Sequence, residues 1–143
     1  MGGVYTEASM SLDGYIAAPG DTGFDQLFQS YENGDVAIGT AKPEMTFRTS
    51  AASAFVTEGI GAAVAQAREL AGDRWVGVNG GSIARQCLEA GLLDEIRVNL
   101  VPVLLGGGVP FFDQVRDAPV ELSNPTVVEG DRVTHLYYRV RRP

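Results

Sequence analysis

Two glycine clusters and one aspartate are the residues of this chain whose types and spacing best suit chemistry. Asn79-Gly80-Gly81-Ser82 follows the short apolar run Trp75-Val76-Gly77-Val78 and opens a stretch with helical periodicity from about Ser82 to Ala90. Glycines at a strand-to-helix turn let an anion approach the backbone. The first free N–H groups of the helix, with its dipole behind them, then point at that anion. Asn79, Gly80, Gly81 and Ser82 are therefore candidates for holding a pyrophosphate. The full G-x-G-x-x-G fingerprint is missing, and a tight structural turn without a ligand explains the local pattern equally well.

Gly106-Gly107-Gly108 ends the next predicted strand. If the strands leading into the two glycine turns are parallel neighbours, both turns open on the carboxyl edge, where open α/β sheets bind ligands. A corner that needs positive φ angles is the alternative. Asp13 sits in an Asp-Gly bend after the strand-like run Val4 to Ser11. A carboxylate facing a pocket there would orient a polar ring or assist proton transfer. An Asp that only shapes its own turn is the competing reading. Glu44, Phe47 and Thr49 are further candidates for the same pocket, although nothing in their spacing requires it.

Other reactive side chains carry less. The lone Cys87 lies beside Leu88, four residues after Ile83, on the packed side of the second predicted helix, and reads as an inert core thiol. The lone His135 alternates with Tyr137 and Arg139 on one side of the last predicted strand and reads as a solvent-side residue, a proton shuttle being the alternative. Asp94-Glu95 follows a turn and is expected to solubilise a strand edge. One histidine and one cysteine give no metal-ligand spacing and no internal disulfide. No Ser-His-Asp order is suggested.

The formal charge of −7 opposes a phosphate backbone, so nucleic acid is not an expected partner. No apolar run reaches membrane-spanning length, and the start has no basic and apolar leader pattern, so a membrane partner is not expected and the expected location is the cytoplasm. Met1 to Thr6 fits a myristoylation pattern formally but runs into a strand that should be buried. Asn124-Pro125-Thr126 fails as a glycosylation site because of its central proline.

These residues need elements to hold them. Val4 to Ser11 predicts a strand that continues through the Asp-Gly bend to Ala17, a strand with a kink. Pro19-Gly20-Asp21 is a turn, Phe24 to Tyr31 suits two helical turns, and residues 18–50 are otherwise loop-rich. Thr57 is placed to cap a helix whose Ile60, Val64, Ala67 and Leu70 recur at helical spacing until Gly72. Trp75 to Val78 predicts a buried parallel strand. Ile96, Val98 and Leu100 alternate with Glu95, Arg97 and Asn99 before the wholly apolar Val101 to Leu105, so a central strand is expected there. Val109 to Val115, with Phe111 and Phe112, suits a loop over the sheet edge. Strands at about Val120 to Val128 and Arg132 to Val140 form a closing antiparallel hairpin around Glu129-Gly130-Asp131. The pattern is α/β, with residues 1–143 expected to form a single domain.

Three stretches taken in order resemble the dihydrofolate reductase-like proteins and the RibD C-terminal reductase domain. They are Ser9-Met10-Ser11-Leu12-Asp13-Gly14-Tyr15-Ile16-Ala17, Val78-Asn79-Gly80-Gly81-Ser82-Ile83-Ala84, and Leu92 to Ile96 continuing through Pro102-Val103-Leu104-Leu105-Gly106-Gly107-Gly108. The resemblance implies a mixed sheet flanked by helices and a homodimer. It also implies NADPH-dependent reduction of a small heterocyclic substrate, a pterin, a pyrimidine or a relative. Carried over by position, Gly80, Gly81, Ser82 and Ile83 would hold the cofactor phosphates, Leu105 and Gly106 would approach the nicotinamide, and Asp13 would face substrate. A non-catalytic nucleotide- or small-ligand-binding module on the same fold is the alternative. Two departures stand out. Asn79 occupies a position that is often acidic in riboflavin-pathway reductases, and no deaminase half is present, so a riboflavin intermediate is not the favoured substrate. Before Phe55 the family pattern also has a strand with a Gly-Arg turn, a helix and a Thr-rich strand end. An apparent loss or omission of this central segment falls near residues 54–55.

Overall fold

The computed structural model describes residues 2–20, 22–27 and 59–142, apart from the side chains of Phe24 and Asp25. Its strands are β1 (Val4–Ser11), β2 (Tyr15–Ala17), β3 (Val76–Val78), β4 (Glu95–Val101), β5 (Val109–Pro110), β6 (Thr126–Gly130) and β7 (Val133–Arg139). Its helices are α1 (Phe24–Leu27), α2 (Ile60–Ala71) and α3 (Ser82–Glu89). A five-stranded mixed sheet has the order β3-β1-β4-β7-β6, while β2 and β5 form a separate two-stranded antiparallel ribbon. The expected α/β architecture with helices against a mixed sheet and a closing hairpin is the one observed.

β1 pairs in parallel with β3 on one side and with β4 on the other. The two strands that lead into glycine turns are thus both parallel to β1 but separated by it. Val4, Thr6, Val76, Ile96 and Val98 alternate onto one face, which packs against Val64 of α2 and Ala84 and Cys87 of α3. Cys87 is fully buried, as the helical spacing predicts, and burial pushes its thiol pKa up. On the opposite face the guanidinium of Arg97 lies 3.9 Å from the centre of the Tyr5 ring and pairs with Glu95 at 2.8 Å. That cation–aromatic contact keeps the charge satisfied on a partly covered sheet.

Several local expectations change. The chain does not continue β1 through the Asp-Gly bend, because Gly14 has φ of 96° and turns residues 15–17 out of the main sheet to pair with β5. The N-cap of α2 is Gly59, without a side-chain cap, and the expected cap Thr57 lies outside the described residues; Gly72, at φ 63°, ends the helix by donating to Arg68 O. Leu70 is exposed rather than part of the packed stripe. β4 stops at Val101 because Pro102 has no N–H for the ladder, and Leu104 is 68 % exposed. The hairpin is shorter than expected, with Gly130 and Val133 as its last pair and Asp131-Arg132 as its turn. The remainder of the Phe24 to Tyr31 helix, Glu44, Phe47, Thr49 and the 54–55 join lie outside the described residues. Among the described residues β3 is the outer strand on its side of the sheet.

Asp94 does not serve as a solvating edge charge. Its carboxylate accepts the Val4 N–H at 2.8 Å and pairs with Arg142 at 2.8 Å and Arg68 at 3.7 Å. Its own N–H donates to Val4 O at 2.8 Å, so the side chain and backbone of Asp94 together lock the starts of β1 and β4. His135 is likewise not a free solvent-side residue. Asn99, which is buried, gives its amide nitrogen to Glu7 at 3.3 Å and therefore turns its oxygen toward His135 Nδ1 at 2.6 Å. The ring nitrogen must then be the donor, and Nε2 is left buried without a partner.

Protonating that ring would bury a second, unpaired N–H. Burial accordingly lowers the His135 pKa, with Glu7 partly opposing it. The unfolded chain takes up this proton near the ordinary histidine value, whereas the folded chain resists until lower pH. Stability should therefore fall with acidification through about pH 7.5 to 5.5, the range around the unperturbed histidine value. Because His135 is the only histidine, His135→Gln should remove this part of the slope in urea titrations; an unchanged slope would contradict the buried neutral ring.

Candidate functional site

Parallel pairing points β1, β3 and β4 the same way; β1 and β4 end level, Ser11 opposite Val101, whereas β3 ends opposite Thr6 and its glycine turn is linked to the bend after β1 through the Phe111 backbone. Asp13 follows β1, Asn79 to Ile83 follow β3, and Leu105 with Gly106 lies in the loop after β4. The structure brings Asp13 into direct contact with the Leu105-Gly106 loop. The Leu105 N–H donates to Oδ1 of Asp13 at 3.1 Å and the Gly106 N–H to Oδ2 at 2.8 Å. Fully buried Ser11 donates its hydroxyl to Oδ1 at 2.5 Å and accepts the Tyr15 N–H at 3.0 Å. The Ser11 hydrogen bond above all, helped by the Gly106 and Leu105 amides, holds the Asp13 carboxyl below its ordinary pKa. Asp13 is thus an ionised acceptor around neutral pH.

The second glycine feature is a turn packed firmly from behind and open in front. A Cβ on Gly80 would approach Ile16 Cδ1 to 3.1 Å and Phe111 Cε1 to 3.3 Å, so β3 reaches its turn closely over the β2–β5 ribbon. Gly81, at φ 73°, caps α3, and a Cβ there would meet no atom within 4 Å. The first intrahelical bond at this end runs from Arg85 N to Gly81 O. The N–H groups of Ser82, Ile83 and Ala84 therefore have no acceptor within the helix. Asn79, Ser82 and Ile83 are exposed beside this space. An anion fits such a turn: amide donors, room where a side chain would stand, and the positive end of a helix.

Phe111 joins the two halves and was not singled out by its sequence position. Its N–H donates to Gly14 O at 3.0 Å, its carbonyl accepts the Gly81 N–H at 3.2 Å, and its ring is buried in the core and stacked on Phe112 at 4.9 Å. The loop that carries it does lie at the sheet edge, but as a paired strand with an anchored aromatic. A phenylalanine in a glycine-rich loop gives no sequence signal for this role. Ser11, two residues before Asp13, could have been found from its short polar side chain beside a turn carboxylate. A cleft of about 350 Å³ opens next to these loops, lined by Leu12, Val101, Pro102, Arg132 and Thr134 among others. Leu12, in its lining, is exposed, as is Leu104 in the loop after β4. Among the described residues no group of three or more His, Cys, Asp or Glu side chains could hold a metal ion, and no helix is long and apolar enough to cross a membrane.

The parallel β3-β1-β4 half of the sheet, its antiparallel β7-β6 extension and the helices packed on one face define a dihydrofolate reductase-like α/β fold. The chain belongs to the RibD C-terminal domain family, whose model matches residues 36–134. That match contains both glycine turns and begins after Asp13. Among solved structures, it is similar to a protein from Shewanella sp. PV-4 assigned to riboflavin biosynthesis, with 20% identity and a TM-score of 0.64 over 98% of this chain and 99% of that one. A pyrimidine reductase-like protein from Corynebacterium diphtheriae is similar at 12% identity and a TM-score of 0.62, over 99% and 93% of the two chains. The riboflavin biosynthesis reductase of Saccharomyces cerevisiae gives 12% identity and a TM-score of 0.56 over 99% and 89%. No functionally curated protein matches the chain. At these identities the likeness to solved structures concerns the fold.

If Phe111 ties the edge together, Phe111→Ala should destabilise the protein by about 3–5 kcal/mol in urea unfolding, the cost of a large cavity under a buried ring. A loss below about 1 kcal/mol, the level of an ordinary exposed substitution, would mean that the loop is held without it.

Proposed function

We propose that the chain is an NADPH-dependent reductase of a small heterocycle, of pyrimidine or pterin type, built as one domain over residues 1–143 and acting as a soluble cytoplasmic homodimer. The single observation that carries this reading is the shared bend. An open helix N-terminus behind Gly80-Gly81, joined through Phe111 to the bend after β1, and a glycine loop at Leu105-Gly106, bonded to Asp13 of the same bend, meet in a member of the RibD C-terminal domain family. Similarity to a pyrimidine reductase-like protein and to a riboflavin biosynthesis reductase supports the substrate class.

In this reading Asn79, Gly80, Gly81, Ser82 and Ile83 hold the cofactor phosphates through backbone amides and the space that a side chain at Gly81 would fill. Leu105 and Gly106 lie along the nicotinamide side, with Asp13 behind them and both of its carboxylate oxygens turned to their amides. The bound cofactor supplies the hydride; the protein supplies position and exclusion of competing water. Held as an anion by Ser11 and two amides, Asp13 suits orientation better than proton donation near neutral pH.

Thermal denaturation with NADPH tests the reading. Ligand at a hundred times its Kd should stabilise the fold by about 2.7 kcal/mol, and NADPH should be consumed when the right heterocycle is added. Gly81→Leu, checked for folding by circular dichroism, fills the open space and should abolish the shift. A shift without turnover for any pyrimidine or pterin would favour a binding module. No shift with wild-type protein would reject the reductase reading, and a shift preserved in Gly81→Leu would move the phosphates elsewhere.

A further inference from the structure

The loop from Val103 to Gly108 has little of its own to fix its shape. Gly106, Gly107 and Gly108 take positive φ angles of 78°, 156° and 122° in succession, and consecutive glycines have the widest conformational freedom of any residues. Added Cβ atoms at Gly106 and Gly107 would meet nothing or only Pro19 at 3.7 Å, so that part of the loop is not wedged by packing. It is held by what it bonds to. One end is tied by Leu12 N to Val103 O at 2.9 Å, and the other by Gly108 lying against the Ala17-Ala18 backbone. Between these ties, Leu105 and Gly106 are held by the Asp13 carboxylate, one amide to each oxygen. Asp13 is itself fixed in one rotamer by Ser11, whose hydroxyl bridges the carboxylate to the Tyr15 N–H across the bend.

A carboxylate that accepts two successive main-chain N–H groups is a charge-assisted clasp. It aligns the peptides of Leu105 and Gly106 toward the bend and sets the direction in which their outer surface presents itself at the carboxyl edge. We propose that Asp13 is a positioning residue, clasping the Leu105-Gly106 backbone against the β1–β2 bend with Ser11 as its brace, and that it acts on the reaction through this loop rather than by proton transfer. The catalytic part of the proposal rests on the reductase reading, with the nicotinamide along Leu105 and Gly106; the clasp itself does not.

The test has two independent arms. In the free protein, the amide proton shifts of Leu105 and Gly106 should titrate together with the Asp13 carboxyl, below the ordinary aspartate range, and should not titrate in Asp13→Asn. The asparagine variant puts an NH₂ group opposite a main-chain donor, so one of the two loop bonds is lost whichever way the amide turns. Its Leu105 and Gly106 amides should exchange about tenfold faster, while Val76 and Gly81 keep their wild-type rates. Ser11→Ala should give a smaller change in the same direction. Shifts and exchange at Leu105 and Gly106 that are indifferent to Asp13→Asn would overturn the clasp.

In the second arm, Asp13→Asn should raise the KM for NADPH by about tenfold, the worth of a hydrogen bond to a charged group, with kcat at saturating cofactor nearly preserved. A collapse of kcat at unchanged KM would make Asp13 a proton-transfer group and overturn the positioning role. If wild-type protein neither binds nor consumes NADPH, the reductase reading fails, while the first arm still decides whether the clasp exists.

Discussion

Everything at the candidate site depends on β1 being hydrogen-bonded on both edges to strands that run its own way. Parallel neighbours must be reached by crossovers, and those crossovers place α2 and α3 over one face of the sheet. The same pairing sets the last residues of β1 and β4 side by side, Ser11 opposite Val101, while β3 ends opposite Thr6 and its glycine turn is tied to the Asp-Gly bend through the Phe111 backbone. Features separated by tens of residues in sequence, the Asp-Gly bend, the double glycine and the triple glycine, then come together without any direct sequence relation. The register is specific: Tyr5 faces Gly77 on one side and Glu95 on the other. A one-residue slip of β1 against β4 would exchange the apolar and polar faces of the strand.

The polar groups on and beside the second face make that slip costly. Asp94 grips Val4 through both its carboxylate and its backbone, and Arg142 and Arg68 neutralise it from the flanks. Farther along, Asn99 bridges Glu7 of β1 and His135 of β7, linking three adjacent strands through one buried amide. Both devices are geometric, so a shifted strand would leave their buried donors or acceptors unpaired at a cost of about 1–3 kcal/mol each. Unpaired Ser9 Oγ and His135 Nε2 on this face show that the network is not fully satisfied even in register. The apolar face supplies burial; the polar groups supply alignment.

Periodic and turn signals made much of this legible in advance. α3 and its glycine turn, the end of α2 at Gly72 and the alternation of β4 follow from local spacing, because the forces that set them act within a few residues. What was illegible is long-range. Nothing in Tyr15-Ile16-Ala17 tells that these residues leave β1 for a ribbon with Val109–Pro110, since the partner strand is two residues long. Phe111 looks like a loop residue until its backbone is seen between Gly14 and Gly81. His135 and Asp94 look like surface groups because alternation marks a face as polar without saying whether another element or a network covers it. Asp13 was legible as a residue of interest, but its loop partners, 92 and 93 residues away, were not.

The two glycine turns also differ in how they are made rigid, a difference with a physical sense if the proposed site takes an extended ligand. The Gly80-Gly81 turn is backed by Ile16 and Phe111, atoms of a packed core, and its amides belong to a helix whose geometry is already fixed. The Gly106-Gly107 loop leans on hydrogen bonds to an exposed carboxylate and on few side-chain contacts. A core-backed turn is preorganised for a compact anion, whose charge is best met by dipoles that do not need to reorganise. A loop held by a few polar bonds yields at smaller cost, as segments that open locally do. Under the proposed reductase reading, that loop would be the half able to adjust to a planar ring, while the turn proposed for the phosphates stays fixed.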